Sequence, residues 1–392
     1  MTLYHSVKSK LEIVIQACFI IIQIQPGQLF TSVVISPLNA LMDEQVRKLR
    51  EQNITSVAVH NKSEADIATR NHFNVIFTSP EFSMQESFRT LLLQTTHKLC
   101  VIAFDEAHCI LEWGLSKFRP LYAEIAELLA ISTDVPVLVM TATVSDKMKS
   151  DILTVLSIAN CYTIACSPDR PEIFLEVRKK SATCLNWLIE NLRVEKNKCE
   201  KTIIYCRSVL QVLAVYEMFL TGLGKDMYVD PTQRNVSNRL AEMYSSIIDK
   251  STKERVLDCF SKCTNLRVIV TTVAFGMGID IPDIRCVILW GIPGSCCEYW
   301  QQIGRACRDG SNGHAILYKV HSRLPINDDI KDVFCDDSSM CLRTSILEKI
   351  WLKDMGAIPV KNSHCDRSCD SCTCQLCLCC SNCRRKCPCV NT

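Results

Sequence analysis

No glycine-rich phosphate loop of the G-x-x-x-x-G-K-[ST] kind occurs anywhere in the 392 residues, of which only 12 are glycine. This excludes the ready-made cradle in which consecutive backbone N–H groups wrap the β- and γ-phosphates of a nucleotide. Neither sign of charge dominates: 44 Lys and Arg stand against 42 Asp and Glu, for a net charge of +2. Attraction of nucleic acid by bulk charge is thereby excluded, and such a partner needs a local basic surface. Long apolar runs are lacking too. The one membrane or signal candidate, LEIVIQACFIIIQI at 11–24, carries Glu12, Gln16 and Gln23. It is too short for a hydrocarbon core of about 30 Å and has no small-residue cleavage site. It reads as a buried helix or strand–helix piece, and no membrane association is expected. There is no internal repeat and no clear basic import signal.

Cysteine, by contrast, is abundant, with 26 residues, ten of them within the last 28 positions. Others, such as Cys100 and Cys286, sit inside apolar runs, where a free thiol packs as a small hydrophobe. That distribution suits a reducing compartment with a metal site near the end of the chain. The length allows two or three domains with sizeable cores. Short apolar runs at 32–35, 74–77, 100–104, 136–140, 202–206, 267–271 and 285–290 alternate with helical stretches. Such alternation predicts parallel sheets with right-handed crossovers. A polar linker beginning Ser167-Pro168-Asp169-Arg170-Pro171 separates the runs into two groups. The expected organisation is an α/β lobe over 1–166, a second over 167–325, a small helical subdomain over 326–373 and a cysteine-rich tail over 374–392.

The most informative stretch is Asp105-Glu106-Ala107-His108, which follows the apolar run at 100–104. Ligands of open α/β sheets bind at the carboxyl ends of strands. Two acids there can hold Mg²⁺ and polarise a water beside a γ-phosphate, although an acidic helix N-terminus would have the same composition. Ser36-Pro37-Leu38 and Thr78-Ser79-Pro80 each end a strand and open a helix, where first-turn N–H groups can take a phosphate. Thr141-Ala142-Thr143 ends the next strand. The loop from Cys109 to Pro120 brings Trp113, Phe118 and Arg119 together, a set that can stack on unpaired bases or anchor a core. Further on, Val268–Thr272 runs into Gly276-Met277-Gly278 and Asp280. Gln301-Gln302-Ile303-Gly304-Arg305-Ala306-Cys307-Arg308 then spaces two arginines three apart, read here as one helical face. A guanidinium aimed at a γ-phosphate neutralises transition-state charge.

Taken together, these motifs resemble a RecQ-type DNA helicase of superfamily 2. The likeness runs collinearly from about 32 to 372. Its most specific parts are the His-Cys-Ile continuation of the acidic box and the Trp-Gly…Phe-Arg-Pro loop. The resemblance implies two RecA-like lobes closing on ATP and Mg²⁺, with single-stranded DNA across them and 3′-to-5′ movement. By motif position, Asp105 would hold Mg²⁺, Glu106 would activate water, and His108 and Gln301 would couple the lobes. Arg305 and Arg308 would face the phosphates, with Gly278 and Asp280 on the nucleotide side. Trp113, Phe118, Arg119, Ser36, Thr78 and Thr272 would meet DNA. The family also has a four-cysteine Zn²⁺ platform, for which Cys341, Cys365, Cys369 and Cys372 are the matching residues. The alternative is that Cys341 is a core thiol and the tail binds metal by itself. A nuclear location is implied by the family alone.

The chain also departs from the family. Val7-Lys8-Ser9-Lys10 stands near where the phosphate loop belongs but has no glycine. The family's adenine-contacting segment is not found upstream. The expectation is therefore an N-terminally incomplete chain whose first sheet lacks the phosphate-loop strand. Cys307 replaces a glycine between the two arginines, and Leu115-Ser116-Lys117 lengthens the aromatic loop.

Overall fold

The structure, a computed structural model, describes residues 2–5, 29–114, 121, 124–131, 133–262, 265–273, 281–335, 340–358 and 377–387. It divides into two units, residues 1–168 with 350–357 and residues 169–349 with 358–392.

In the first unit the strands are β1 (Thr2–His5), β2 (Thr31–Ile35), β3 (Ser56–Val59), β4 (Val75–Thr78), β5 (Leu99–Phe104), β6 (Val137–Thr141) and β7 (Tyr162–Ala165). They form a wholly parallel sheet in the order β3-β4-β2-β5-β6-β1-β7. This corrects the expectation of a missing strand: the interior slot between β6 and β7 is filled by β1. The 11–24 segment and Val7-Lys8-Ser9-Lys10 lie outside the described residues.

The helix α1 (Asn39–Glu51) illustrates how the layers form. Met42, Val46 and Leu49 recur at helical spacing and are buried with Phe30, Val34, Ile54 and Phe77 in one cluster. The helix stops because Asn53 turns left-handed at φ 62°. Ile54 N–H then bonds back to Leu49 O and Asn53 N–H to Arg50 O, which satisfies two end carbonyls. The segment 350–357 completes this unit. Its short turn Lys353–Met355 lies against β7, and Asp354 takes a 2.7 Å ion pair from Lys149 of α2 (Asp146–Val155).

The second unit holds β8 (Ile173–Lys179), β9 (Lys201–Cys206), β10 (Ala241–Tyr244), β11 (Val268–Thr271), β12 (Ile284–Trp290) and β13 (Gly313–Lys319). These are again all parallel, in the order β10-β11-β9-β12-β13-β8. Its core gathers Phe219, Ile204, Val270, Ile288, Trp290 and Tyr318, buried from both faces as a parallel sheet requires. β8 is an edge strand, and the cysteine-rich tail covers part of it: Leu175 pairs with Cys380 in a parallel bridge, and Leu175 N–H bonds to Cys379 O at 3.3 Å.

Candidate functional site

In the first unit, β5 delivers Asp105 to the carboxyl edge of the sheet, between the ends of β2 and β6. Asp105 N–H still bonds to Ile35 O, and Ala107 N–H to Met140 O, both at 2.9 Å. The tetrapeptide is thus anchored on both neighbouring strands. Asp105 is only 3% exposed. Its Oδ1 accepts from Glu106 N–H at 2.8 Å, which fits the left-handed φ of 47° at Glu106. Glu106 Oε2 lies 3.3 Å from His108 Nδ1. The same nitrogen is 3.2 Å from Thr141 Oγ1, whose hydroxyl donates to Thr143 O at 3.0 Å. Acid, imidazole and hydroxyl therefore form one chain across the ends of β5 and β6, buried at His108 and Thr141 and half-buried at Glu106.

Two hydroxyls near this chain, Ser36 Oγ and Thr143 Oγ1, are buried without a hydrogen-bond partner among the described residues. An orphaned polar atom in an interior is costly unless a ligand or ion satisfies it. Hard carboxylate oxygens beside unsatisfied hydroxyls are a donor set suited to Mg²⁺. Thr78 differs: its hydroxyl lies within bonding distance of two backbone carbonyls, Val59 O at 3.3 Å and Ser79 O at 3.4 Å. The side chain of Trp113 and all of Phe118 and Arg119 lie outside the described residues.

In the second unit, the helix α3 (Cys296–Ile303) carries Gln301, half-buried, on its last turn and ends at Gly304. This corrects the reading of the arginine pair. Arg305 and Arg308 stand in a turn beyond the helix, not on a helical face. Two left-handed residues shape that turn, Cys307 at φ 55° and Gly310 at φ 81°. A side chain fits at Cys307 because Gly313 faces it: a Cβ on Gly313 would lie 2.2 Å from Cys307 Sγ. The turn is pinned from outside by the guanidinium of Arg170, which donates to Gly304 O at 2.9 Å, Ala306 O at 2.7 Å and Cys307 O at 3.1 Å. Below it, the phenol of Tyr205 at the end of β9 is fully buried, and burial holds its pKa above the ordinary value against the opposing positive charge of Arg305 and Arg308. Thr272 is half-buried just past β11, while Gly278 and Asp280 lie outside the described residues.

The cysteine cluster lies in the same unit. Cys341, Cys379, Cys380 and Cys383 place their sulfurs within 4.8 Å of one another, with Cys341 and Cys379 only 3.5 Å apart. Four sulfurs at about 2.3 Å from a tetrahedral zinc stand at comparable separations. Crowding and burial push the Cys379 and Cys383 thiols well above the ordinary range. A shared cation is what allows such a set to be deprotonated together. The chemistry and spacing of these donors fit Zn²⁺. Cys380 also caps the helix α5 (Ser381–Lys386), accepting from Cys383 N–H at 3.4 Å. Of the ligands expected from sequence, Cys341 is in this cluster, while Cys365, Cys369 and Cys372 lie outside the described residues. The local sequence signal for these ligands is Cys380-Ser381-Asn382-Cys383, a C-x₂-C pair a few residues beyond Cys372.

Comparison with known proteins supplies the family. Residues 14–151 match the DEAD/DEAH box helicase model, and residues 183–310 match the helicase conserved C-terminal domain. The chain is 32% identical over 294 residues to ATP-dependent DNA helicase RecQ of Haemophilus influenzae, covering 73% of this chain and 44% of that protein. It belongs to the RecQ-type helicases of superfamily 2. Another relative of this RecQ-type chain is ATP-dependent DNA helicase Q-like 2 of Arabidopsis thaliana, 31% identical over 310 residues, covering 75% of this chain and 42% of that one. The chain thus spans less than half the length of either relative. Among solved structures, S. cerevisiae Dbp5 bound to RNA and ADP BeF3 superposes with a TM-score of 0.61 at 16% identity, covering 90% of this chain and 84% of that one. That likeness concerns the fold: two RecA-like lobes, as the RecQ resemblance implied.

Proposed function

We propose that this chain is the motor core of a RecQ-type helicase, which couples ATP hydrolysis to 3′-to-5′ movement on single-stranded DNA and opens duplexes and their junctions. Its setting is the nucleus, in DNA repair and recombination. The observation that carries this reading is the chain Glu106–His108–Thr141 beside Asp105 at the carboxyl end of β5. Asp105 holds Mg²⁺, which when bound neutralises charge on the phosphate oxygens of ATP. Glu106 orients the attacking water and accepts its proton. His108, fixed through Thr141, and Gln301 communicate the state of the site to the rest of the motor. Arg305 and Arg308 offset negative charge on the γ-phosphate, with Gly278 and Asp280 on the nucleotide side. Ser36, Thr78 and Thr272 take phosphates of DNA, and Trp113, Phe118 and Arg119 sense its bases. Cys341 with Cys379, Cys380 and Cys383 holds Zn²⁺ as a closed structural site.

A second reading has a specific observation in its favour. Residues 6–10, directly after β1, read Ser-Val-Lys-Ser-Lys, with no glycine to let the backbone wrap phosphates. On that basis the chain is a DNA-binding relative that does not hydrolyse ATP. DNA-stimulated phosphate release by the whole chain, beside Glu106→Gln and Asp105→Ala, separates the two. Turnover lost in both variants supports the motor. A chain as inert as its variants, yet binding DNA with an affinity that falls steeply with salt, supports the second reading. Parallel assays on RNA duplexes decide the nucleic acid.

A further inference from the structure

Two buried arginines make an unbroken path from the cysteine cluster to the turn that carries Arg305 and Arg308. Arg343 lies two residues beyond Cys341, at the start of α4 (Leu342–Ile350), and is 3% exposed. One arm of its guanidinium donates to Asp169 Oδ1 and to Arg170 O, both at 2.7 Å. The other arm donates to Ile173 O and, at 3.4 Å, to Cys379 O. Arg343 thus touches the backbone of one cluster cysteine and follows another by two positions. It also grips the main chain of Arg170. Arg170, 7% exposed, is held from its other side by Glu172 at 2.5 Å and donates to the carbonyls of Gly304, Ala306 and Cys307.

A guanidinium is planar and rigid, so its two arms cannot move independently. If Cys379 or the first turn of α4 shifts, Arg343 must give up one of its partners. The change then passes to Asp169 and Arg170. The turn that carries Arg305 and Arg308 lies at the far end of this path. Its main chain is left-handed at Cys307, a conformation unfavourable for a residue with a Cβ. Besides Arg170, the bond of Cys307 N–H to Ile284 O at 2.8 Å and the 2.6 Å ion pair of Asp309 with Arg285 of β12 tie it back to the sheet.

We propose that Arg343 and Arg170 are positioning residues that make the shape of the arginine turn depend on the four-cysteine cluster being closed around a metal ion. The catalytic meaning of the turn rests on the motor reading above; the coupling itself does not. The test is amide hydrogen exchange on the whole chain, comparing peptides that span 304–310 with peptides from β9 and β12. The samples are the zinc-loaded protein, the protein stripped with a chelator, and the zinc-loaded variants Arg343→Lys and Arg170→Lys. Lysine keeps the charge but cannot fork.

Stripping and either variant should each raise exchange at 304–310 at least tenfold, with β9 and β12 unchanged and zinc content of the variants unaltered. Stripping Arg343→Lys should add nothing further. Should metal removal open β9 and β12 as well, the zinc-loaded Arg343→Lys arm decides. A turn whose exchange stays within twofold of wild type in that variant overturns the proposal. An absence of ATP turnover would defeat the motor reading but leave these outcomes intact. Where turnover is present, Arg343→Lys should lower kcat about tenfold with little change in the KM for ATP.

Discussion

The acid cluster of the first lobe and the arginine turn of the second are built on opposite principles. Asp105 and Glu106 follow directly from a strand, and their geometry is set by hydrogen bonds to the two flanking strands and to each other. Arg305 and Arg308 stand a full helix beyond the sheet, in a turn held by a guanidinium far away in sequence. The carboxylates inherit the rigidity of the sheet. The turn that carries the guanidinium groups is held instead through side chains, by Arg170 and by the Arg285–Asp309 ion pair, with one backbone bond from Cys307 N–H to Ile284 O. The contrast is between a rigid end, set by strands, and an adjustable end, set largely by side chains.

The largest expected effect is at the rigid end. On the motor reading, in which Glu106 is the general base, Glu106→Gln should reduce DNA-stimulated ATP hydrolysis by about 10²–10⁴-fold with no change in the denaturation midpoint. An equally large loss of stability would mean that the acid cluster is held less firmly than the contrast requires. Next is Arg343→Leu. It removes a buried cation from the half-buried Asp169 and from the carbonyls of Arg170 and Ile173, and should cost about 3–5 kcal/mol in chemical denaturation. A loss under about 1 kcal/mol would mean that the adjustable end is not supported in the way described. Gly313→Ala drives a Cβ toward Cys307 Sγ at 2.2 Å and Arg285 O at 2.4 Å, and should cost about 1–3 kcal/mol as overpacking. Combining it with Cys307→Gly should recover part of that cost, since the two sites touch and are not additive. Cys307→Gly alone is the smallest effect. Relief of the left-handed conformation and loss of a buried thiol oppose each other, so the denaturation midpoint should move by less than about 1 kcal/mol in stability.

The same contrast explains what was legible in the sequence. The acidic box could be read because its position depends on the strand immediately before it, an apolar run with a clear signature. β8 and β13 mix polar and apolar residues, and β3, β7 and β10 lack the run of bulky apolar residues that marks the equally short β4 and β11. The spacing of the arginine pair suits a helix, and nothing local announces that α3 stops at Gly304. The roles of Arg170 and Arg343 were invisible. Each acts on residues more than a hundred positions away, and no local periodicity encodes such a partner. The meeting of Cys341 with the tail likewise depends on β8 offering a free edge, a property of the folded sheet.

The return of residues 350–357 to the first unit has a practical consequence for dissecting the gene. A fragment that stops at residue 168 omits the turn against β7 and strips Lys149 of its carboxylate. A complementary fragment starting at 169 carries that piece away with it. Neither half of a two-way cut is a complete lobe, so expressing the first lobe by itself calls for grafting the 350–357 peptide back on.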